Sequence, residues 1–173
     1  MAANVFVVGV YPDLSKVNET VQKLIDLGID KKEISVVTKL EHPEEELIED
    51  VEIKKADSHA MNWAELGAVA GGLLGLLVGG VIFTAPAVGT MVATGASLTG
   101  AINGLLGGAV AGGALIGIAD GLIEWGMASE NAKKLEKLVQ EGKVLLIVRT
   151  EDTAKGDVAG IVEQNAEKVE LLD

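Results

Sequence analysis

Residues 66–119 contain no charged side chain and no histidine, and this uncharged stretch constrains the fold more than any other feature of the sequence. All 40 charged residues lie in the other 119 positions, whereas 15 of the 22 glycines lie within these 54 residues. Because an average soluble domain is about a quarter charged, a gap of this length indicates a distinct environment. The sequence therefore predicts a charged module that is interrupted by an apolar insertion.

The glycines of the insertion recur at every fourth residue in two series. Residues four apart share one face of a helix, so each series would form a groove in which a partner backbone can approach closely. We predict two such helices, near 62–85 and 97–125, joined by a loop over 86–97. The residues expected to pack these helices and to drive self-association are Gly67, Gly71, Gly75, Gly79, Gly100, Gly104, Gly108 and Gly112. A second small-residue stripe comprises Gly113, Gly117 and Gly121.

The length of the predicted helices matches a bilayer. Each has about 20 apolar residues, or about 30 Å of helix. Trp63 and Trp125 flank the hairpin and would lie together at one membrane interface. A lipid bilayer is therefore an expected partner, with the soluble module on the cytoplasmic side. The alternative is a cytoplasmic homo-oligomer in which the hydrophobic hairpins bury one another in a shared core.

The charged segments on either side of the insertion each show a β-α-β pattern. In the first, β-rich runs over 4–10 and 34–38 enclose a helix that begins after Pro12 and ends near Gly28. The second follows a charged helix over 129–141 and has strand, helix and strand at 143–150, 153–164 and 169–172. Four antiparallel strands under two helices would form an α+β, ferredoxin-like split β-α-β sandwich. A small doubly wound sheet is the alternative.

The predicted organisation has four parts. Residues 1–40 form the first half of the ferredoxin-like domain, and 41–60 form an acidic connector. The glycine-zipper helical hairpin occupies 61–128. A helix and the second half of the ferredoxin-like domain follow in 129–173.

Composition and motifs argue against several classes of function. The net charge of −12 and the aromatic content of 3% are unfavourable for binding nucleic acid. Cysteine is absent, and His42, His59 and the acidic segment 41–57 lack the spacing of metal ligands. No phosphate-binding loop and no nucleophile elbow occur, and the N-terminus lacks the features of a secretory signal. We therefore expect no catalytic, cofactor-binding or metal-binding residues.

Three segments resemble the bacterial general-stress-protein domain family of the 17M type, also called the heat-induced stress protein family. The opening NVFVVGVYPDLSKVNETVQKLIDLGIDKKEISVVT is similar to the first β-α-β unit of that family, and the Gly/Ala-rich hairpin matches in position and character. The closing SENAKKLEKLVQEGKVLLIVRTEDTAKGDVAGIVEQNAEKVELLD is similar to its helix, glycine, strand, helix and short strand. The resemblance implies stress-associated expression and membrane association, without catalytic residues.

Two functions are therefore expected as alternatives. The first is a non-enzymatic, stress-associated structural protein that self-associates through its glycine-zipper hairpin within a membrane. The second is a soluble homo-oligomeric binding module whose hairpins form a shared buried core. No small-molecule substrate follows from the sequence.

Overall fold

Six strands pair edge to edge in one sheet, in the order β3-β4-β2-β5-β1-β6, and every neighbouring pair is antiparallel. The computed structural model describes residues 4–12, 16–39, 80–85, 89–95, 97–98, 100–102, 104–105 and 117–172. The strands are β1 (Asn4–Tyr11), β2 (Ile34–Lys39), β3 (Gly80–Ala85), β4 (Gly89–Thr94), β5 (Val144–Glu151) and β6 (Lys168–Leu172). The helices are α1 (Val17–Asp26), α2 (Ile118–Trp125), α3 (Ser129–Gln140) and α4 (Lys155–Glu163), and a 3-10 turn spans Lys31–Glu33.

Both faces of the sheet are covered, which gives the described part of the chain three layers. One face packs on α1 and α4 through a core that includes Val7, Tyr11, Val17, Val21, Leu24, Ile34, Leu146, Val158 and Val162. The opposite face packs on α2, α3 and the helical residues between 97 and 105 through a second core. That core includes Phe6, Val8, Leu98, Ile102, Leu122, Trp125, Leu135, Leu145 and Ile147. The chain is therefore a mixed α/β fold with an antiparallel sheet.

The two β-α-β patterns predicted on either side of the insertion are confirmed. The apolar run of β1 has no polar alternation because its side chains are buried on both faces of the sheet. The register pairs Val8 with Ile147 on one side of β1 and with Glu170 on the other. The sequence of β1 is continuously hydrophobic because the strand lies between two others and both of its faces are buried.

Where the structure describes the insertion, the predicted helix over 62–85 is wrong at residues 80–85 and the predicted loop over 86–97 is wrong at residues 89–94. Residues 62–79 lie outside the described residues. Residues 80–85 and 89–94 are strands β3 and β4 of a hairpin, and β4 pairs with β2 through Val37 and Ala93. Both segments have β-branched side chains among their apolar residues, which favour a pleated surface, and pairing with β2 satisfies backbone groups. Gly95 ends the hairpin with φ +96°, and a Cβ there would clash with the Ile34 carbonyl.

The predicted helix over 97–125 is also interrupted. The described residues from 97 to 105 are helical, but Gly117 is extended and α2 begins only after it. Asp120 explains this start, since its Oδ2 accepts a hydrogen bond from the Gly117 amide at 2.8 Å. Gly126 then ends α2 in the left-handed conformation, with φ 115°. Within the described residues, no helix combines the length and hydropathy needed to cross a membrane.

Candidate functional site

An exposed glycine face lies on the helical residues between 97 and 105. Leu98 and Ile102 are fully buried in the core, whereas Gly100 and Gly104 are exposed to solvent. A Cβ built on either glycine meets no described atom within 4 Å. These two of the eight predicted packing glycines therefore lie together on a surface, with no close contact in the described part of the chain. We call Gly100 and Gly104 the glycine face.

The other six predicted packing glycines lie outside the part of the chain that the structure describes. Trp63 and the glycines at 67, 71, 75, 79, 108 and 112 lie outside the described residues. The acidic connector and both histidines lie outside them as well. The glycine face is therefore the part of the predicted zipper that the structure places.

The close helix approach that the structure does show is at Gly121. A Cβ on this residue would lie 2.6 Å from Ile102 Cγ1 and 3.5 Å from Leu98 Cδ1. Both of these side chains come from the buried side of the helical residues that carry the glycine face. The glycine of α2 thus allows the two helical segments to touch, and the glycine face points away from that contact.

The N-terminus of α2 is held by a carboxylate from α3. Glu136 Oε2 accepts a hydrogen bond from the Ala119 amide at 2.8 Å, and a Cβ on Gly117 would clash with the same carboxylate. Asp120 supplies the second carboxylate at this end. Negative charge is favourable there, because the free amide groups of the first helical turn are partly positive. Glu136 therefore fixes α2 against α3.

The C-terminus of α2 is held by Arg149 of β5. Arg149 Nη1 donates a hydrogen bond to the Trp125 carbonyl at 3.0 Å, and its guanidinium lies 5.5 Å from the centre of the Trp125 ring. Arg149 also makes a two-point contact with Glu33, from Nε to Oε2 at 2.5 Å and from Nη2 to Oε1 at 3.0 Å. A cation at the carbonyl end of a helix complements the helix dipole. Arg149 therefore links the insertion to β5 and to the turn before β2.

The sequence predicts a membrane interface for Trp125, whereas the structure places this residue in the protein core. Its side chain is buried, with 5% of its surface exposed, and its ring meets Phe6 edge to face at a centroid distance of 5.4 Å. Contacts with Phe6 and with the Arg149 guanidinium hold this large ring in the core on one face of the sheet. Its Nε1 group is buried without a hydrogen-bond partner in the described structure.

Two further polar groups are perturbed by burial. Burial raises the pKa of the Tyr11 hydroxyl, although a hydrogen bond with Thr20 opposes this effect. At Glu170, burial also raises the pKa, but Lys134 and Lys168 lower it by more, so the net pKa is below its ordinary value. Lys134 Nζ lies 2.7 Å from Glu170 Oε2, and Lys168 forms a second ion pair with the same side chain.

Among the described residues, no group of three or more His, Cys, Asp or Glu side chains could hold a metal ion.

No sequence motif pointed to Arg149 or to Glu136. Arg149 could have been identified, since it is the single arginine among 14 basic residues and interrupts an apolar strand. A buried or half-buried position that needs planar, two-point recognition of a carboxylate favours arginine over lysine. Glu136 has no comparable signal, because it is one of many charged residues on a charged helix.

No family model, no curated protein and no solved structure matches this chain. The resemblance to the stress-protein family therefore stays a prediction.

Proposed function

We propose that this protein has a structural role and self-associates through helices whose packing surface is floored by glycine. The observation behind the proposal is the exposed pair Gly100 and Gly104, which has no close contact within the described chain. The same spacing continues in the sequence at positions 108 and 112. A second copy of the chain is the natural occupant of a face that repeats in this way, because close helix packing needs small residues on the contact surface.

Glycine on an exposed helix face has a cost that a contact would offset. Each glycine destabilises a helix by about 1 kcal/mol relative to alanine. Gly121 and Gly117 have neighbours that exclude a Cβ, whereas Gly100 and Gly104 have none among the described residues. Close approach of a partner backbone to this face would explain why glycine, rather than alanine, occupies these two positions.

Helix α4 offers an internal comparison. Gly156 and Gly160 are also exposed, four residues apart and free of described neighbours within 4 Å. They lie among Lys155, Asp157 and Glu163, which keep that surface hydrated. The glycine face instead belongs to the uncharged stretch, where desolvation on contact costs little. Spacing is shared by the two helices, and the surrounding charge distinguishes them.

We also propose that the flanking module is a ferredoxin-like split β-α-β sandwich. Strands β2, β5, β1 and β6 are adjacent in that order, and α1 and α4 cover the same face of the sheet. This is the strand order and layering expected of that fold when an insertion separates its second and third strands. The insertion then adds β3 and β4 to one end of the sheet and covers its second face.

The experiment that tests the proposed function compares two leucine variants. Gly104→Leu places a large side chain on the glycine face, and Gly160→Leu places the same side chain on the exposed face of α4. We expect Gly104→Leu to dissociate the assembly to smaller species, because leucine prevents close approach of the backbones. Gly160→Leu should keep the wild-type mass. The measurement is molar mass by light scattering, and a wild-type mass for Gly104→Leu would refute the proposal.

Two environments for the assembly are proposed as alternatives. Burial of Trp125 and the incorporation of β3 and β4 into the sheet support a shared protein core. The 54 uncharged residues support insertion into a membrane on the cytoplasmic side. Fractionation followed by a carbonate wash separates these possibilities, since only integral protein stays with the washed membranes. The resemblance to the stress-protein family adds the proposal that expression rises under stress, which transcript levels in stressed and unstressed cells would test.

A further inference from the structure

The two edges of the sheet differ in charge. At one edge, β6 carries Lys168 and Glu170, and Lys134 from α3 reaches across to the Glu170 carboxylate. At the other edge, β3 has the sequence GVIFTA and lies in the middle of the 54 uncharged residues. Charged side chains on an edge strand hinder pairing with another chain, and an uncharged edge lacks this protection. Only β6 therefore has the features of a solvated edge.

Strand β3 also has a length and composition that suit pairing with a further strand. Its six residues include Val81, Ile82 and Phe83, which favour β-structure. Among the described residues, β4 is its one neighbour in the sheet. Within the described part of the chain, β3 therefore leaves a row of backbone amide and carbonyl groups directed away from the sheet.

We propose that β3 pairs with β3 of a second copy of this chain, so that the two sheets join into one. A second copy of the chain supplies an identical uncharged strand, and two copies of this edge related by a two-fold axis pair in the antiparallel sense. Every neighbouring pair within the sheet is already antiparallel, so the new pair continues the same ladder. The contact goes beyond the proposed function, since it uses backbone groups of β3 and does not involve the glycine face.

The experiment uses the absence of cysteine from the chain. A single introduced cysteine can form a disulfide only with a second copy of the protein. We would make Val81→Cys, Ile82→Cys, Phe83→Cys and Thr84→Cys in the full chain and oxidise each in solution. The matched control is Leu171→Cys, at an exposed position (51%) on the opposite edge strand. Circular dichroism verifies that each variant keeps the wild-type fold.

We expect at least one β3 position near the two-fold axis to give about five times more disulfide dimer than Leu171→Cys. Directly opposed residues bring Cβ atoms to about 4.5–5.5 Å, close to the separation that a disulfide needs. Yields should fall on moving along β3 away from that position. Dimer yields no higher than that of Leu171→Cys at all four positions would overturn the proposal, and would indicate that another segment of the chain covers this edge.

A second pair of measurements separates this contact from the glycine face. The best β3 variant, combined with Gly104→Leu, should still form the disulfide, because the two contacts are independent. Loss of the disulfide in the combined variant would overturn that independence and with it the proposal as stated. If the cysteine variants fail to fold, amide exchange of the wild type decides instead. Protection of residues 80–85 should rise with protein concentration over the range in which the mass rises, and unchanged protection would overturn the proposal.

Discussion

Arg149 is the residue at which the insertion and the flanking module meet. Its guanidinium joins Glu33 before β2, the Trp125 carbonyl at the end of α2 and the face of the Trp125 ring. The Arg149 and Glu33 side chains are 26% and 29% exposed, so solvent screens this pair less than a surface ion pair. The two-point contact with Glu33 and the hydrogen bond to the Trp125 carbonyl together need a planar group with several donors, and lysine has no such group.

Replacing Arg149 should therefore lower stability more than replacing an ordinary surface cation. We expect Arg149→Met to reduce the free energy of unfolding by about 1–3 kcal/mol, because it removes charge-assisted hydrogen bonds from Glu33 and from the helix end. The control Lys155→Met removes the exposed partner of Asp152 and should change it by less than about 0.5 kcal/mol. Urea unfolding measures both, and equal effects of the two variants would contradict the assigned role of Arg149.

The ion pairs of Glu170 should make the free energy of unfolding depend on pH. Its side chain is 9% exposed and meets Lys134 and Lys168, and its net pKa in the folded chain is below 4.5. The unfolded chain lacks these partners, so it binds a proton at higher pH than the folded chain does. The ion pairs therefore add stability above about pH 4.5, and this contribution is lost as the pH falls through the folded pKa.

The variant that tests this dependence is Glu170→Gln. Its free energy of unfolding should lie below that of the wild type at pH 7, and the gap should narrow towards pH 3. Glu19→Gln is the comparison, since Lys23 lowers the Glu19 pKa in a solvent-exposed pair and solvent screening weakens that effect. Urea titrations at several pH values measure the gap. A gap for Glu170→Gln that does not change with pH would show that its loss acts through packing alone.

At the scale of elements, α2 is short and depends on contacts at both ends and along its length. Glu136 holds its first turn, Arg149 holds its last, and Gly121 lets Ile102 approach its side. A helix of eight residues has little stability of its own, because nucleation costs more than its few hydrogen bonds return. These three contacts explain how such a helix can cover a sheet face.

Two alanine variants measure the contact at Gly121. A Cβ at Gly121 would lie 2.6 Å from Ile102 Cγ1, so Gly121→Ala should lower the free energy of unfolding by about 1–2 kcal/mol. Gly160→Ala fills open space in α4 and should raise it by about 0.5–1 kcal/mol, since alanine is the better helix former. Urea unfolding gives both signs. Stabilisation by Gly121→Ala would mean that the helices can separate at little cost.

The sequence predicted the elements of the flanking module because each has its own local signal. The apolar run of β1, the helical spacing of Val17, Val21 and Leu24, and the glycine at 28 agree with the structure within a residue or two. The strands β3 and β4 were missed because their apolar residues show no alternation and adjoin a glycine series with helical spacing. Their β-branched residues are a short local signal for strand, and the pairing of β4 with β2, which settles the structure there, is long-range.

The candidate site could likewise be predicted from the sequence only in part. Gly100 and Gly104 share one face of a helix, which the sequence could predict because helical periodicity is local. The packing expected of them stays a prediction. The burial of Trp125 was not predictable, because it depends on Phe6 and Arg149, which are far away in the sequence. A tryptophan beside an apolar helix favours a membrane interface and a protein core equally in sequence terms.

At the scale of the whole molecule, the two proposed contacts lie on different elements. The glycine face belongs to the helical layer, and β3 forms one end of the sheet. A chain with one two-fold contact forms closed dimers, whereas two independent contacts allow dimers to join into larger assemblies. Gly104→Leu should then leave dimers joined through β3 rather than monomers, which the same light-scattering measurement would resolve.

Assembly also couples stability to protein concentration. Because association stabilises only the folded chain, the apparent free energy of unfolding of a dimer rises by about 1.4 kcal/mol for each tenfold increase in concentration. We expect the urea midpoint of the wild type to rise over a hundredfold concentration range. The combined variant Gly104→Leu with Ile82→Lys removes the glycine face and adds charge to the β3 edge, so its midpoint should stay constant. Gly160→Leu, which alters neither contact, should follow the wild type. A wild-type midpoint that is independent of concentration while light scattering still shows an assembly would mean that unfolding takes place within the assembled state.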